Sequence, residues 1–221
     1  MENYMNDYLT IALPKGKLFT ISKNLLHRVG LSADHLSEKS RKLVIENEDL
    51  KVRFIIAKTS DVPTYVEYGA ADIGIIGKDV LLESQKDVYE ILDLGFGKCH
   101  LMMAVLQKEK RRRLLDYSYT RVATKYPHIA ESFFARQGMQ MEYIKLNGSI
   151  ELGPIVGLSE SIVDIVETGT TLAENDLEEI AHILDVSARL IVNRVSFKLK
   201  FHRINEIVNN LRPIIESGEI L

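Results

Sequence analysis

Apolar residues recur along this chain in two rhythms. Short runs rich in Val and Ile alternate with longer stretches whose apolar positions return every three or four residues. Leu9–Leu13, Lys51–Ala57, Asp72–Ile76, Tyr89–Phe96 and His100–Gln107 predict strands. Leu18–Val29 predicts an amphipathic helix ended by Gly30. Val62–Tyr68 predicts a short helix entered through Asp61 as N-cap, with Pro63 near its first position and Gly69 at its end. Lys78–Ser84 reads as the next helix. The alternation continues through Arg121–Lys125, a Pro-started helix at Pro127–Gln137, Met141–Leu146 and Val156–Glu160. Ile162–Val166 follows as a strand, then a helix after Thr171 that takes in the charged run Leu172–Glu179. Val186–Asn193 is the last strand, and a helix from Ser196 to Glu216, interrupted at Pro213, closes the pattern. This is the signature of α/β layers.

Composition narrows the class. The chain has 221 residues, 46% of them hydrophobic, enough for one large core or two smaller ones. Its 28 Lys+Arg face 31 Asp+Glu, a net charge of −3, so no basic excess points to nucleic acid. The run from Lys108 to Arg113 is the exception, and between two apolar strands it reads as a solvated connection before it reads as a polyanion patch. One cysteine, Cys99, excludes an internal disulfide and suits a reducing compartment as a half-buried strand thiol. The six histidines form no obvious cluster. No apolar run reaches the ~20 residues of a membrane span, and the acidic, polar start is no signal peptide. A soluble cytoplasmic protein is expected.

The most informative stretch is Ser161–Leu172. The apolar strand ends in Glu167-Thr168-Gly169-Thr170-Thr171, and a helix-prone run follows. At such a turn, backbone N–H groups and two Thr hydroxyls face the positive end of a helix, a ready site for phosphate. Asp164, just upstream, is placed to hold sugar hydroxyls. Phosphate plus ribose suggests a phosphoribosyl group. A bare Thr-Gly-Thr-Thr is more often an ordinary strand-to-helix turn, and the upstream Asp is what favours the functional reading. Neither a Walker A loop nor a Gly-x-Gly-x-x-Gly fingerprint is present; Gly95-Phe-Gly97 comes nearest.

Read more widely, Glu151, Gly157, Ser159, Ile162, Asp164, Thr168, Gly169, Thr171 and Leu172 stand at the spacing of the ATP phosphoribosyltransferase signature. Ala12–Leu18, Ser60–Asp79, Ala123–Pro127 and Ser187–Asn193 are similar to further blocks of that family, in order. The resemblance implies transfer of the phosphoribosyl group of 5-phosphoribosyl 1-diphosphate to N1 of ATP, the first step of histidine biosynthesis. It also implies two α/β domains of periplasmic-binding-protein type with the active site in the cleft. Domain I would comprise residues 1–98 plus 187–221. Domain II, 99–186, would carry the phosphate loop. Two other readings stay open: a phosphoribosyltransferase with another acceptor, and a non-catalytic ligand-binding module.

The resemblance also assigns residues. Glu167, through its backbone, and Thr168 to Thr171 would cradle the 5′-phosphate, with Asp164 on the ribose. Lys15, Gly16, Lys58 and Asp79 would bind ATP, while Lys17 and Arg41 would stabilise the departing diphosphate. Family members commonly carry Arg where Lys17 and Lys58 stand, and lysine keeps the charge without the bidentate fork. Arg41 as a solvated loop residue, and Asp79 as a plain helix N-cap, are nearly as good readings from the residues alone. Asp72 reads as structural, and Thr124, Lys125 and Tyr126 as further candidates for the cleft. Mg²⁺ is expected with the substrate diphosphate rather than on a protein metal motif. Ending at Leu221, the chain resembles the short form of the family. That form works with a histidyl-tRNA-synthetase-like regulatory subunit in a hetero-octamer and is a homodimer alone.

Overall fold

A computed structural model describes residues 8–31, 36–37, 42–110 and 113–218. In chain order its elements are β1 (Leu9–Pro14), α1 (Lys17–Arg28), β2 (Val44–Asn47), β3 (Val52–Ala57), α2 (Val62–Glu67), β4 (Ile73–Gly77), α3 (Lys78–Ser84) and β5 (Tyr89–Asp93). There follow β6 (Cys99–Leu106), β7 (Arg121–Thr124), α4 (Pro127–Arg136), β8 (Glu142–Lys145), α5 (Leu152–Ile155), β9 (Ser161–Val166), α6 (Thr170–Glu174) and β10 (Leu177–Val186). The chain closes with β11 (Ala188–Val192), α7 (Arg194–Leu199) and α8 (Phe201–Glu216). It divides into two compact units, Met1–Gly97 with Ser187–Leu221, and Lys98–Val186.

The first unit holds a six-stranded sheet in the order β2-β3-β1-β4-β11-β5. β1 runs parallel to β3 and β4, while β2, β11 and β5 are antiparallel to their neighbours. All six residues of β1 and all five of β4 are buried, as parallel strands with both faces covered must be. On one face α1 buries Phe19, Ser22, Leu25 and Leu26, and α8 buries Ile204, Ile207, Val208 and Leu211, both at helical spacing. On the other face Val62 and Val66 of α2 pack with Ala12, Ile76 and Ile191. Asp72 bears out its structural reading. Its Oδ2 accepts from Thr10 N and from Lys200 Nζ, both at 2.7 Å, and only 6% of its side chain is exposed. Breaking so buried a pair by removing one partner costs about 3–5 kcal/mol.

The second unit holds a five-stranded sheet in the order β10-β6-β9-β7-β8. β7 is parallel to β8 and β9, whereas β6 is antiparallel to β9 and β10. Leu101, Met103, Val105, Val122, Val163 and Phe134 fill one face, and Met102, Ala104, Ile162 and Leu172 the other.

Several sequence expectations are corrected. The helix expected through Glu179 stops at Glu174, and Leu177–Val186 is a strand. Asp176, at φ 54°, turns the chain out of α6. The error has a physical source. β10 carries irregularities between Glu179 and Ala181 and between His182 and Leu184. Each bulge adds a residue, so exposed positions return every third residue, at Glu179, His182 and Asp185, and imitate a helix. Val156–Glu160 is not a strand but the turn after the four-residue α5, since Gly157 adopts φ 73°. The C-terminal helix breaks at Lys200 rather than at Pro213. Lys200 leaves helical geometry (φ −115°, ψ 26°), and its ammonium is drawn to Asp72 and to the carbonyl of Tyr8 at 2.7 Å. Pro213 and Asn209 are both exposed, so the carbonyl that the proline leaves unpaired lies on the solvent side of the helix. Asp61 stands at the N-cap of α2 but makes no side-chain cap, because its carboxylate accepts from Ser60 Oγ at 2.9 Å. His100 and His182 are not scattered: strand pairing stacks their rings at 5.3 Å. Among the described residues no helix is long and apolar enough to cross a membrane.

Candidate active site

In the second unit, the site residues named from sequence lie where β9 gives way to α6. Gly169 caps α6 at φ 77° and ψ −2°, a backbone that disfavours any side chain, and no side chain caps the helix. The amides of Thr170 and Thr171 therefore have no carbonyl one turn back to meet. Thr168 and Thr170 join their hydroxyls at 3.1 Å, and both are exposed, as are Glu167 and Thr171. Thr171 is held from behind, where Asn175 Nδ2 donates to its carbonyl at 2.8 Å. Since α6 has only five residues, its dipole is small, and the N–H groups and hydroxyls are the donors the turn can offer an anion. Asp164 is half-buried on β9, with Oδ1 accepting from Ile165 N at 2.9 Å. The loop thus offers donors to an anion and, three residues back, a carboxylate suited to hydroxyls.

In the first unit the basic residues come from the carboxyl ends of neighbouring parallel strands, where α/β sheets bind ligands. β1 ends at Pro14, and Lys15 and Gly16 lead into α1, whose first residue is Lys17. Gly16, at φ 92° and ψ −153°, caps this 12-residue helix without a side-chain bond. Lys15 N donates to Ala57 O at 2.9 Å and Thr59 Oγ1 to Lys15 O at 3.1 Å, stitching this loop to the one after β3. Lys58 stands between those two partners. Lys15, Lys17 and Lys58 are all exposed, so three cations share one rim. Asp79 follows β4, on the other side of β1. It is not the N-cap of α3, which is Gly77, but the second helical residue, buried, with Oδ1 folded over Gly77. Arg41 lies outside the described residues.

Two other candidates, Thr124 and Tyr126, are spent on the fold, while Lys125 is exposed. Thr124 is fully buried, its hydroxyl donating to Val163 O at 2.6 Å and accepting from Tyr126 N at 2.8 Å. Tyr126 is buried, and Lys125 lies over its ring. At the opposite end of this sheet, Arg121 grips Glu160 through Nη2 at 2.6 Å and through its own backbone N at 2.8 Å. That guanidinium holds the Glu160 carboxyl below its ordinary value, and Glu160 in turn raises Arg121. A cavity of about 520 Å³ beside α6 is lined by Leu106, Ile155 and Glu174 to Asp176, so the Glu167–Thr171 turn is not part of that cavity.

Comparison with known proteins converges on one family. The family model for "HisG: ATP phosphoribosyltransferase" matches residues 58–213. An ATP phosphoribosyltransferase of Desulfitobacterium hafniense is 52% identical over 95% of this chain and 97% of its own length. A solved ATP phosphoribosyl transferase (HisG:HisZ) complex from Thermotoga maritima aligns with TM-score 0.80 and 32% identity, over 95% of this chain and 99% of that one. The substrate binding protein of an amino acid ABC transporter shares the fold at TM-score 0.63 and 12% identity, covering 96% of this chain and 95% of that one. Two mixed α/β units of periplasmic-binding-protein type are therefore the fold.

Proposed function

The chain belongs to the ATP phosphoribosyltransferase family, and from that premise we propose how its residues carry the reaction. It transfers the 5-phosphoribosyl group of 5-phosphoribosyl 1-diphosphate to N1 of ATP and releases diphosphate, the first step of histidine biosynthesis. N1 of neutral adenine already holds a lone pair, so no general base is needed. The barrier lies in C–O cleavage, with positive charge growing on the sugar and negative charge on diphosphate. Positioning and preorganised charge lower it.

Glu167, Thr168, Gly169, Thr170 and Thr171 take the 5′-phosphate, Glu167 through its backbone only. Asp164 holds the ribose hydroxyls. Lys15, Gly16, Lys58 and Asp79 bind ATP, and Lys17 with Arg41 stabilises the leaving diphosphate. The observation that carries this reading is the uncapped turn from β9 into α6, with Asp164 behind it, inside the matched family region. The clustering of Lys15, Lys17 and Lys58 on one rim supports the cationic part.

Mg²⁺ suits the donors present, since Asp164 and the threonines of the loop offer only oxygen. The Asp164 carboxylate would face it, and bound with the substrate diphosphate it would supply neutralising charge. The protein is read as cytoplasmic. A histidyl-tRNA-synthetase-like regulatory subunit is the proposed partner, in a hetero-octamer, with a homodimer formed alone. The Thermotoga maritima relative, solved as a HisG:HisZ complex, supports the partner.

The test is product analysis. Purified chain, alone and with its regulatory partner, is mixed with ATP, 5-phosphoribosyl 1-diphosphate and Mg²⁺, and products are identified by mass spectrometry. Phosphoribosyl-ATP and diphosphate in equal amounts are expected. A phosphoribosyl adduct on a different acceptor, or none under either condition, overturns the reading.

A further inference from the structure

We infer that His100, Glu179 and His182 form a binding site for a divalent transition-metal ion of the Zn²⁺ class on the edge of the second unit's sheet. Among the described residues β10 is an edge strand and pairs only with β6. In a regular strand, residues three apart point to opposite faces. Here the two irregularities in β10 each add a residue, so Glu179, His182 and Asp185 pair with Ala104, Met102 and His100 in turn. All three therefore stand on the same face as His100. Bulges that re-aim side chains are frequent beside functional sites.

The gathered groups converge. His100 Nε2 lies 2.9 Å from Glu179 Oε2, and the two imidazoles stack at 5.3 Å with 28° between their planes. One ligand atom from each of the three residues lies within 4.8 Å of the others. Asp185 Oδ1 lies 3.4 Å from His182 Nε2, and a solvent oxygen would complete four-coordination at this exposed edge. Zn²⁺ bonds of about 2.0–2.2 Å place ligand atoms roughly 3.3 Å apart, so each terminal atom closes by about an ångström. Side chains 29%, 36% and 51% exposed have that freedom.

The donor types select the ion. Two imidazoles and a carboxylate suit Zn²⁺, Co²⁺, Ni²⁺ or Cu²⁺, whereas Mg²⁺ and Ca²⁺ take oxygen. Protection of an edge strand also uses bulges and charge, and the Lys110–Glu178 pair serves that purpose on the same strand. Protection does not require two imidazoles gathered on one carboxylate. Because His100 pairs directly with Val166, the last residue of β9, the ion would clip the edge strand to β6 next to the turn into Glu167–Thr171. The site stands independently of the catalytic assignments.

Full-length chain, stripped with a chelator, is titrated with Zn²⁺ by calorimetry and with Co²⁺ by visible absorption. One Zn²⁺ per chain is expected, with the intense absorption of four-coordinate Co²⁺. His100→Gln and His182→Gln should each weaken binding by about tenfold or more and abolish the Co²⁺ signal. His202→Gln should do neither, and circular dichroism should be unchanged throughout. Absence of stoichiometric uptake, or uptake that both His100→Gln and His182→Gln leave intact, overturns the site.

Discussion

At the residue scale, two properties of the Glu167–Thr171 loop are carried by different residues. Gly169 supplies a backbone at φ 77° that aims amides outward, and Thr171 and Asp164 supply polar atoms on either side of it. Thr171→Ala removes an exposed hydroxyl and keeps the carbonyl that Asn175 holds. A hydrogen bond to a charged group contributes about 1.5–3 kcal/mol, so Thr171→Ala and Asp164→Ala should each raise the KM for 5-phosphoribosyl 1-diphosphate by roughly 10–100-fold. Steady-state kinetics beside a thermal melt make the measurement, and unchanged KM in both variants removes the assignment. Lys17 acts on a different quantity. If it stabilises departing diphosphate, Lys17→Ala lowers turnover by roughly 10²-fold with little change in ATP binding, and Lys17→Arg restores most of it. A variant that loses only ATP affinity reassigns Lys17 to binding. Thr124 shows the limit of reading single residues: its place before a Pro-started helix resembled a site, yet both roles of its hydroxyl are taken up by Val163 and Tyr126.

At the scale of elements, β7 and β9 are pinned at their entry by Arg121 and Glu160. Glu160 sits below its ordinary 4.5 because Arg121 stabilises the carboxylate. A depressed carboxyl contributes stability that is present above 4.5 and is lost as pH falls through the folded value. Glu160→Gln should therefore lower stability at pH 7 by no more than about 1 kcal/mol, since the pair is partly solvated. The same variant should lose less than the parent between pH 7 and the acid range. Urea unfolding at neutral pH and below pH 4.5 checks this, and parallel pH profiles for parent and variant contradict it. β9, β1 and β4 were legible as apolar runs because each is buried over nearly its whole length. β10 was not, since its bulges replace the period of two with a period of three and its charges face water.

For the whole molecule, regulation is the sharpest expectation. If histidine acts through the regulatory partner, this chain alone should be inhibited little by histidine and should gain both activity and feedback inhibition when the partner is added. Initial rates with and without histidine, alongside mass measurement in solution, decide it, and strong inhibition of the isolated chain would falsify the prediction. The sequence alone determined the α/β class, the strand-turn-helix at Ser161–Leu172 and the family motifs, because backbone period, turn chemistry and a contiguous loop are properties of neighbouring residues. Tertiary structure alone decided that Lys15 and Lys58 share a rim, that Thr124 is spent inside, and that His100 meets Glu179 and His182. Those relations depend on which strands pair and in what register, and a single bulge reverses the face to which every following side chain points.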